Sequence, residues 1–253
     1  MPYTTVTALS HPGLVRDNNE DSLAVGPWTL CGTTTENPQT LGFPLGLPLV
    51  VAVADGIGGQ PGGEVASALV VRELAALGPS LDSEQAVHDA LSSCNHAVYA
   101  AAERDPELAT MGTTVAGVVV LGKELLVFNV GDSRVLDVSR SGTRGGTLRQ
   151  VSVDDSPPPA PGRRTTSIVT QALGGALRFS AVTPHVSTVP LVGGERYLVC
   201  SDGLTDPVPE DTLDEILATH DGGRAVFELW KAAIDAGGPD NVTLALISVV
   251  GDD

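Results

Sequence analysis

Five aspartates stand where an apolar run meets a turn: Asp21 in VRDNNEDS, Asp55 in VAVADGIGG, Asp132 in NVGDSR, Asp202 in CSDGLTD and Asp240 in GGPDNVT. Acids at strand ends, beside small residues that let the backbone approach closely, are one way for a β scaffold to gather carboxylates on a single rim. Two carboxylates about 4 Å apart repel by roughly 4 kcal/mol at an effective dielectric near 20, so a group of them must take up protons or cations. Oxygen-only ligation without Cys or His selects hard ions, Mg²⁺ or Mn²⁺ rather than Zn²⁺. The chemistry suggested is metal-assisted hydrolysis. Each acid alone has a plainer reading as a turn former, because an Asx side chain satisfies local backbone donors. The glycines after Asp55 also suggest a phosphate cradle, but that loop needs a following Lys-Ser or Lys-Thr, and GIGGQPGGEVA has neither.

Such acids need elements to carry them. Apolar, β-branched runs predict strands over Tyr3–Leu9, Ser22–Cys31, Leu49–Ala54, Thr114–Leu121, Glu124–Val130, Arg134–Val138, Arg196–Cys200 and Val242–Val250. The short turns within TVAGVVVLGKELLVFNVGDSRVLDV permit only antiparallel pairing. Helical spacing predicts Gly63–Leu77, with Val65, Leu69, Leu74 and Leu77 on its apolar side, and Ser83–Arg104, capped by Asp82 or Ser83. A second pair is expected over Pro209–His220 and Gly222–Ala236, closed by GGPDN. Strands segregated from helix pairs predict an α+β fold with helices covering antiparallel sheets. Residues 31–48 read as a long Gly/Pro/Thr loop, and the Pro-rich stretch at about 153–168 as extended and exposed. No internal repeat or boundary interrupts the chain, so residues 1–253 are expected to form one domain.

Composition narrows the partners. A formal charge of −17 from 31 acids against 14 basic residues repels nucleic acid. A chain of 253 residues is long enough to bury roughly 70% of its unfolded surface. The N-terminus has no leader pattern, and the longest apolar stretch, Leu41–Ala54, is too short to span a bilayer. A cytoplasmic monomer is expected. Cys31, Cys94 and Cys200 share no close spacing and read as free thiols.

Taken in order, VRDNNEDS (15–22), VADGIGG (53–59), MGTT (111–114), NVGDSR (129–134), TQALGG (170–175), CSDGLTD (200–206) and GGPDNVT (237–243) make a pattern. From about residue 5 to residue 249 the sequence resembles the protein phosphatase type 2C family of metal-dependent Ser/Thr protein phosphatases, in its bacterial form. The resemblance implies a four-layer α/β/β/α sandwich of two antiparallel sheets flanked by antiparallel helix pairs. It implies that Asp55 bridges two Mn²⁺ or Mg²⁺ ions, that Asp202 and Asp240 hold the first, and that the Gly56 carbonyl completes the second with water-mediated help from Glu20 and Asp21. Asp132 would join Asp202 at a third, weaker ion, and Arg16 would grip the substrate phosphate. The implied activity is hydrolysis of phosphoserine and phosphothreonine in proteins, the products of a Ser/Thr kinase, by a metal-activated water without a phosphoenzyme. A pseudophosphatase that binds phosphoproteins without turnover is the alternative, and the complete acid set speaks against it.

Around these residues, Thr113 and Thr114 are expected to be structural, and Asn241 to fix the turn at Asp240. Ile57 stands where many eukaryotic members carry a His proposed as general acid. His11, His88, His96, His185 and His220 lie outside the motifs, which leaves leaving-group protonation to water or to His11. DDSPPPAPGRR replaces the longer flap usual in bacterial relatives; its Arg163 and Arg164 are either solvated or placed to meet a phosphopeptide.

Overall fold

The structure, a computed structural model, describes residues 3–57, 62–138, 148–160, 165–166, 168–191 and 193–250. Its first half contains β1 (Tyr3–His11), β2 (Ser22–Val25), β3 (Trp28–Cys31), β4 (Gln39–Pro44), β5 (Leu49–Ala54), α1 (Gly63–Leu77) and α2 (Glu84–Ala102). The middle holds β6 (Gly112–Thr113), β7 (Val115–Leu121), β8 (Glu124–Val130), β9 (Arg134–Asp137), β10 (Arg149–Gln150), β11 (Leu173–Gly174) and β12 (His185–Pro190). Then come β13 (Arg196–Cys200), α3 (Asp202–Thr205), α4 (Glu210–Thr219), α5 (Gly222–Asp235) and β14 (Val242–Val250).

Two six-stranded sheets result, ordered β10-β9-β13-β14-β1-β4 and β12-β8-β7-β5-β2-β3, with β6 and β11 forming a small third pair. The register is antiparallel throughout both large sheets, as from Tyr3↔Val250 to His11↔Val242 between β1 and β14. Side chains alternate across a strand, so a strand covered on both faces reads as continuously apolar. Along β5, Val50, Ala52 and Ala54 meet α1 and α2, whereas Leu49, Val51 and Val53 face the other sheet. Along β14, Leu244 and Leu246 meet α4 and α5, whereas Ala245 and Ile247 turn inward. These alternations give three apolar layers and the α/β/β/α sandwich expected.

Helix capping and edges refine the expectations. Ser83, rather than Asp82, caps α2, its hydroxyl accepting from the Ala86 N–H at 3.3 Å. On α1 the deeply buried residues are Ala66, Val70, Val71 and Leu74; Val65 is exposed, one position off the covered stripe. The expected strand Ser22–Cys31 is a hairpin, turned at Gly26–Pro27, where Gly26 takes φ +55°. The expected 31–48 loop contains the edge strand β4, paired with β1, and β12 is an edge strand that was not foreseen. Edge strands bury one face at most, so their apolar signal is weak. Within the Pro-rich stretch the described residues form no regular element, and Pro158–Ala160 are exposed. Arg163 and Arg164 lie outside the described residues, as do Gly58 and Gly59 of VADGIGG. Among the described residues no helix is long and apolar enough to cross a membrane, and all three cysteines are free.

Candidate metal centre

Strands of both sheets end on one cleft of about 480 Å³, whose walls include Asp55, Asp132, Asp202 and Asp240. β5 delivers Asp55, and β6 then pins its backbone. The Thr113 hydroxyl and the Thr114 N–H donate to the Asp55 carbonyl at 2.7 and 2.9 Å, and the Ile57 N–H donates to the Gly112 carbonyl at 3.0 Å. With the main chain satisfied, the Asp55 carboxylate alone is left for the cleft. Gly56 has a packing reason beside the one inferred from sequence. A Cβ there would lie 2.5–2.8 Å from the Gly63 backbone and the Glu20 carbonyl, closer than real contacts allow.

Asp202 opens the short α3 directly after β13, and Asp240 sits just before β14. The two turns interlock so closely that a Cβ on Gly203 would fall 1.8 Å from the Asn241 carbonyl. Asn241 ties this corner to the loop after β1: its amide donates to the carbonyls of Pro12 and Asn18 at 3.0 and 2.8 Å, and its Oδ1 accepts from the Glu20 N–H at 2.7 Å. That loop carries Arg16, whose Nη2 donates to Asp240 Oδ2 at 2.8 Å while much of the guanidinium stays exposed. Asp240 Oδ1 accepts from the Asn241 N–H at 2.9 Å.

Glu20 lines the cleft, and its carbonyl accepts from the Ser67 hydroxyl, which anchors α1 to the loop. Asp21 lies behind the cleft, fully buried, with Oδ2 accepting from the Ser201 hydroxyl at 2.8 Å. Ser201 was not foreseen as part of the site, although it stands between Cys200 and Asp202 in a quoted motif; its Oγ also accepts from the Thr243 N–H at 3.0 Å. Asp132, on the turn between β8 and β9, is buried beside Asp202.

Crowding these acids raises their proton affinity. Burial, then the charges of Asp21 and Asp202, hold Asp55 well above the ordinary carboxylate range. Burial pushes Asp21 up to about 7 against the opposing pull of its hydroxyl donors. Burial and the Asp202 charge push Asp132 up to about 7. Burial raises Asp202 as well, opposed by a hydrogen bond with Asp55, and burial together with Glu64 raises Glu20. A cation would relieve every one of these shifts.

The donors fit hard divalent ions. Asp21 Oδ1 and Asp202 Oδ1 are buried and have no hydrogen-bond donor among the described residues, and such orphaned oxygens are costly unless a cation or water meets them. Among the described residues no three Asp, Glu, His or Cys side chains close on one point. Mg²⁺-type ions keep several waters and take few direct carboxylates, so acids spread around a cleft suit them. Among the described residues no histidine lines the cleft: His11 accepts from the Gly13 N–H at 2.9 Å and packs edge-on to Trp230 at 5.3 Å. His11 is therefore not placed to protonate a leaving group. Cys200, buried beside Asp202, is pushed up to about 12 and stays a protonated thiol.

Fold and site together define a two-sheet, helix-flanked sandwich with a carboxylate-lined cleft where strands of both sheets end. The chain belongs to the protein phosphatase 2C family, which it matches over residues 44–236. It is 35% identical to the serine/threonine protein phosphatase PstP of Mycobacterium tuberculosis over 97% of this chain, and spans 45% of that protein's length. It is 29% identical to the serine/threonine phosphatase stp of Listeria innocua, over 93% of this chain and 92% of that one. The crystal structure of the PstP catalytic domain in complex with two manganese ions superposes with a TM-score of 0.76 at 31% identity, covering 99% of this chain and all of that one.

Proposed function

We propose that this chain is a Mn²⁺- or Mg²⁺-dependent phosphatase that hydrolyses phosphoserine and phosphothreonine monoesters in proteins phosphorylated by a Ser/Thr kinase. The observation that carries the reading is the convergence of Asp55, Asp202 and Asp240, from both sheets, on one cleft beside Arg16. Family membership and the manganese-bound PstP neighbour support it.

Two divalent ions held among these acids would lower the pKa of a shared water toward about 7 and draw charge from the phosphoryl group. The chain's own residues supply the frame. Asp55 would serve both ions, Asp202 and Asp240 the first, and the Gly56 carbonyl, with Glu20 and Asp21 acting through water, the second; Asp132 would join Asp202 at a third. Arg16 presents the exposed face of a planar fork suited to two phosphate oxygens, while Asp240 restrains it at the cleft. The Thr114 hydroxyl is engaged with Ser133 Oγ at 2.8 Å, and Cys200 stays protonated, so neither is poised to take up the phosphoryl group. In this reading water attacks phosphorus directly, and with no histidine among the described residues lining the cleft, water would also protonate the leaving alkoxide.

The pseudophosphatase alternative draws no support, since every expected acid is present. Purified protein should hydrolyse p-nitrophenyl phosphate and phosphothreonine peptides with Mn²⁺ and lose both activities in EDTA. Tight peptide binding without turnover under Mn²⁺ would return the alternative to first place.

A further inference from the structure

Asp132 reaches the cleft from a turn whose position is set from outside. Its carboxylate is buried at the cleft beside Asp202. Its neighbours, by contrast, are bound one after another to the start of the Pro-rich stretch. The Asn129 amide pairs with Val153, accepting from its N–H at 3.0 Å and donating to its carbonyl at 2.5 Å. Gly131 and Asp155 make a reciprocal pair: the Gly131 N–H donates to Asp155 Oδ2 at 2.9 Å, and the Asp155 N–H donates to the Gly131 carbonyl at 2.9 Å. Arg134 donates from Nε and Nη2 to Asp154 Oδ2 at 3.0 and 2.7 Å.

Asp155 also closes the far end of the same stretch. Its carbonyl accepts from the Thr170 N–H at 2.7 Å, and its Oδ2 accepts from the Gln171 amide at 2.9 Å. Its Oδ1 lies 2.9 Å from His185 Nε2 on β12. Pro157, Pro158 and Pro159 then form a wall, and with Arg134 and Thr165 they enclose a second cavity of about 240 Å³. This cavity shares Asp132 and Asp202 with the metal cleft. Consecutive prolines hold their φ angles, so Pro157, Pro158 and Pro159 extend stiffly from the Asp155 anchor.

We propose that Asp155, assisted by Asp154, is a positioning residue of the metal centre, locking the Asp132 turn to the base of the Pro-rich wall and so setting the distance between Asp132 and Asp202. The proposal rests on the function proposed above.

The test uses the full chain and Mn²⁺ alone as the probe, with binding read by electron paramagnetic resonance of the free ion. Asp155→Ala should weaken the lowest-affinity Mn²⁺ phase by about 10-fold or more, as loss of partners behind a ligand does, and leave the tight phase in place. Asp155→Asn keeps an acceptor for the Gly131 N–H and should fall between Asp155→Ala and the wild type. The Gly131 amide proton should be protected from exchange in the wild type and exposed in Asp155→Ala. Leu217→Ala, a cavity in the remote α4–α5 layer, gives the comparison: it should lower Tm without moving the Mn²⁺ isotherm. If Asp155→Ala lowers Tm in the same way and leaves the isotherm unchanged, Asp155 is a folding residue and the proposal is overturned. A wild type that binds Mn²⁺ but hydrolyses no phosphomonoester sinks the proposed function alone; one that binds no Mn²⁺ sinks both.

Discussion

Asp55 and Asp240 sit at one cleft and end in opposite electrostatic states. Asp55 ends the face of β5 that looks toward the other sheet, its backbone pinned by Thr113 and Thr114, and burial beside Asp21 and Asp202 holds its carboxyl well above the usual range. Asp240 precedes the central strand of the other sheet, stays half-buried, and shares its charge with Arg16 and the Asn241 N–H. The difference teaches that the cleft has two ways of tolerating charge. Its deep acids are buried and crowded together, whereas its rim acid is paired with Arg16, the residue proposed to take the substrate phosphate.

Several experiments would break or sharpen this contrast. Asp55→Asn removes a charge proposed to hold both ions and should lower kcat by about 10²–10³-fold or more, the range for losing one preorganised electrostatic group. The same substitution should stabilise the metal-free protein, because it relieves repulsion; a Tm in EDTA that drops would contradict the picture of Asp55 as an uncompensated acid. Arg16→Ala should raise KM for a phosphopeptide by about 10- to 100-fold, the equivalent of losing a charge-assisted hydrogen bond. Its effect on kcat should be the smaller one, and steady-state kinetics separate the two.

Protons and ions should also trade places in the deep cleft. Carboxyls whose folded pKa is raised favour the folded state while protonated, so the metal-free protein should lose stability as pH climbs from about 4 through about 7, the folded values of Asp21 and Asp132. Melting curves in EDTA at pH 5 and pH 8 test this sign. Mn²⁺ at about 100 times its Kd should return about 2.7 kcal/mol and abolish most of the pH dependence. Ser201→Ala takes a donor from Asp21 and an acceptor from the Thr243 N–H, and should cost about 1–3 kcal/mol in denaturant titrations.

Much of this was legible in the residues. Strands covered on both faces announce themselves as apolar runs, unbroken in β5 and interrupted only by Thr243 and Ser248 in β14, and the acids at their ends stand in recognisable turns. The edge strands β4 and β12 were missed, because a strand half-open to water carries too few apolar residues to be told from a loop. Ser201 and Asp155 were missed for another reason. A serine or an aspartate in a loop looks ordinary until its partners are known, and those partners, Asp21 for one and Gly131 and His185 for the other, lie far along the chain.

By itself the sequence determined which residues could ligate, the antiparallel character of the sheets, and the helix pairs that cover them, since each depends on local periodicity and turn chemistry. Only the tertiary structure decided that Asp21 would be buried behind the cleft while Asp240 met Arg16, and that the Asp132 turn would be clamped to the Pro-rich stretch. Burial and pairing at separations such as the 224 positions between Arg16 and Asp240 are set by how the two sheets pack, and no local pattern encodes that distance.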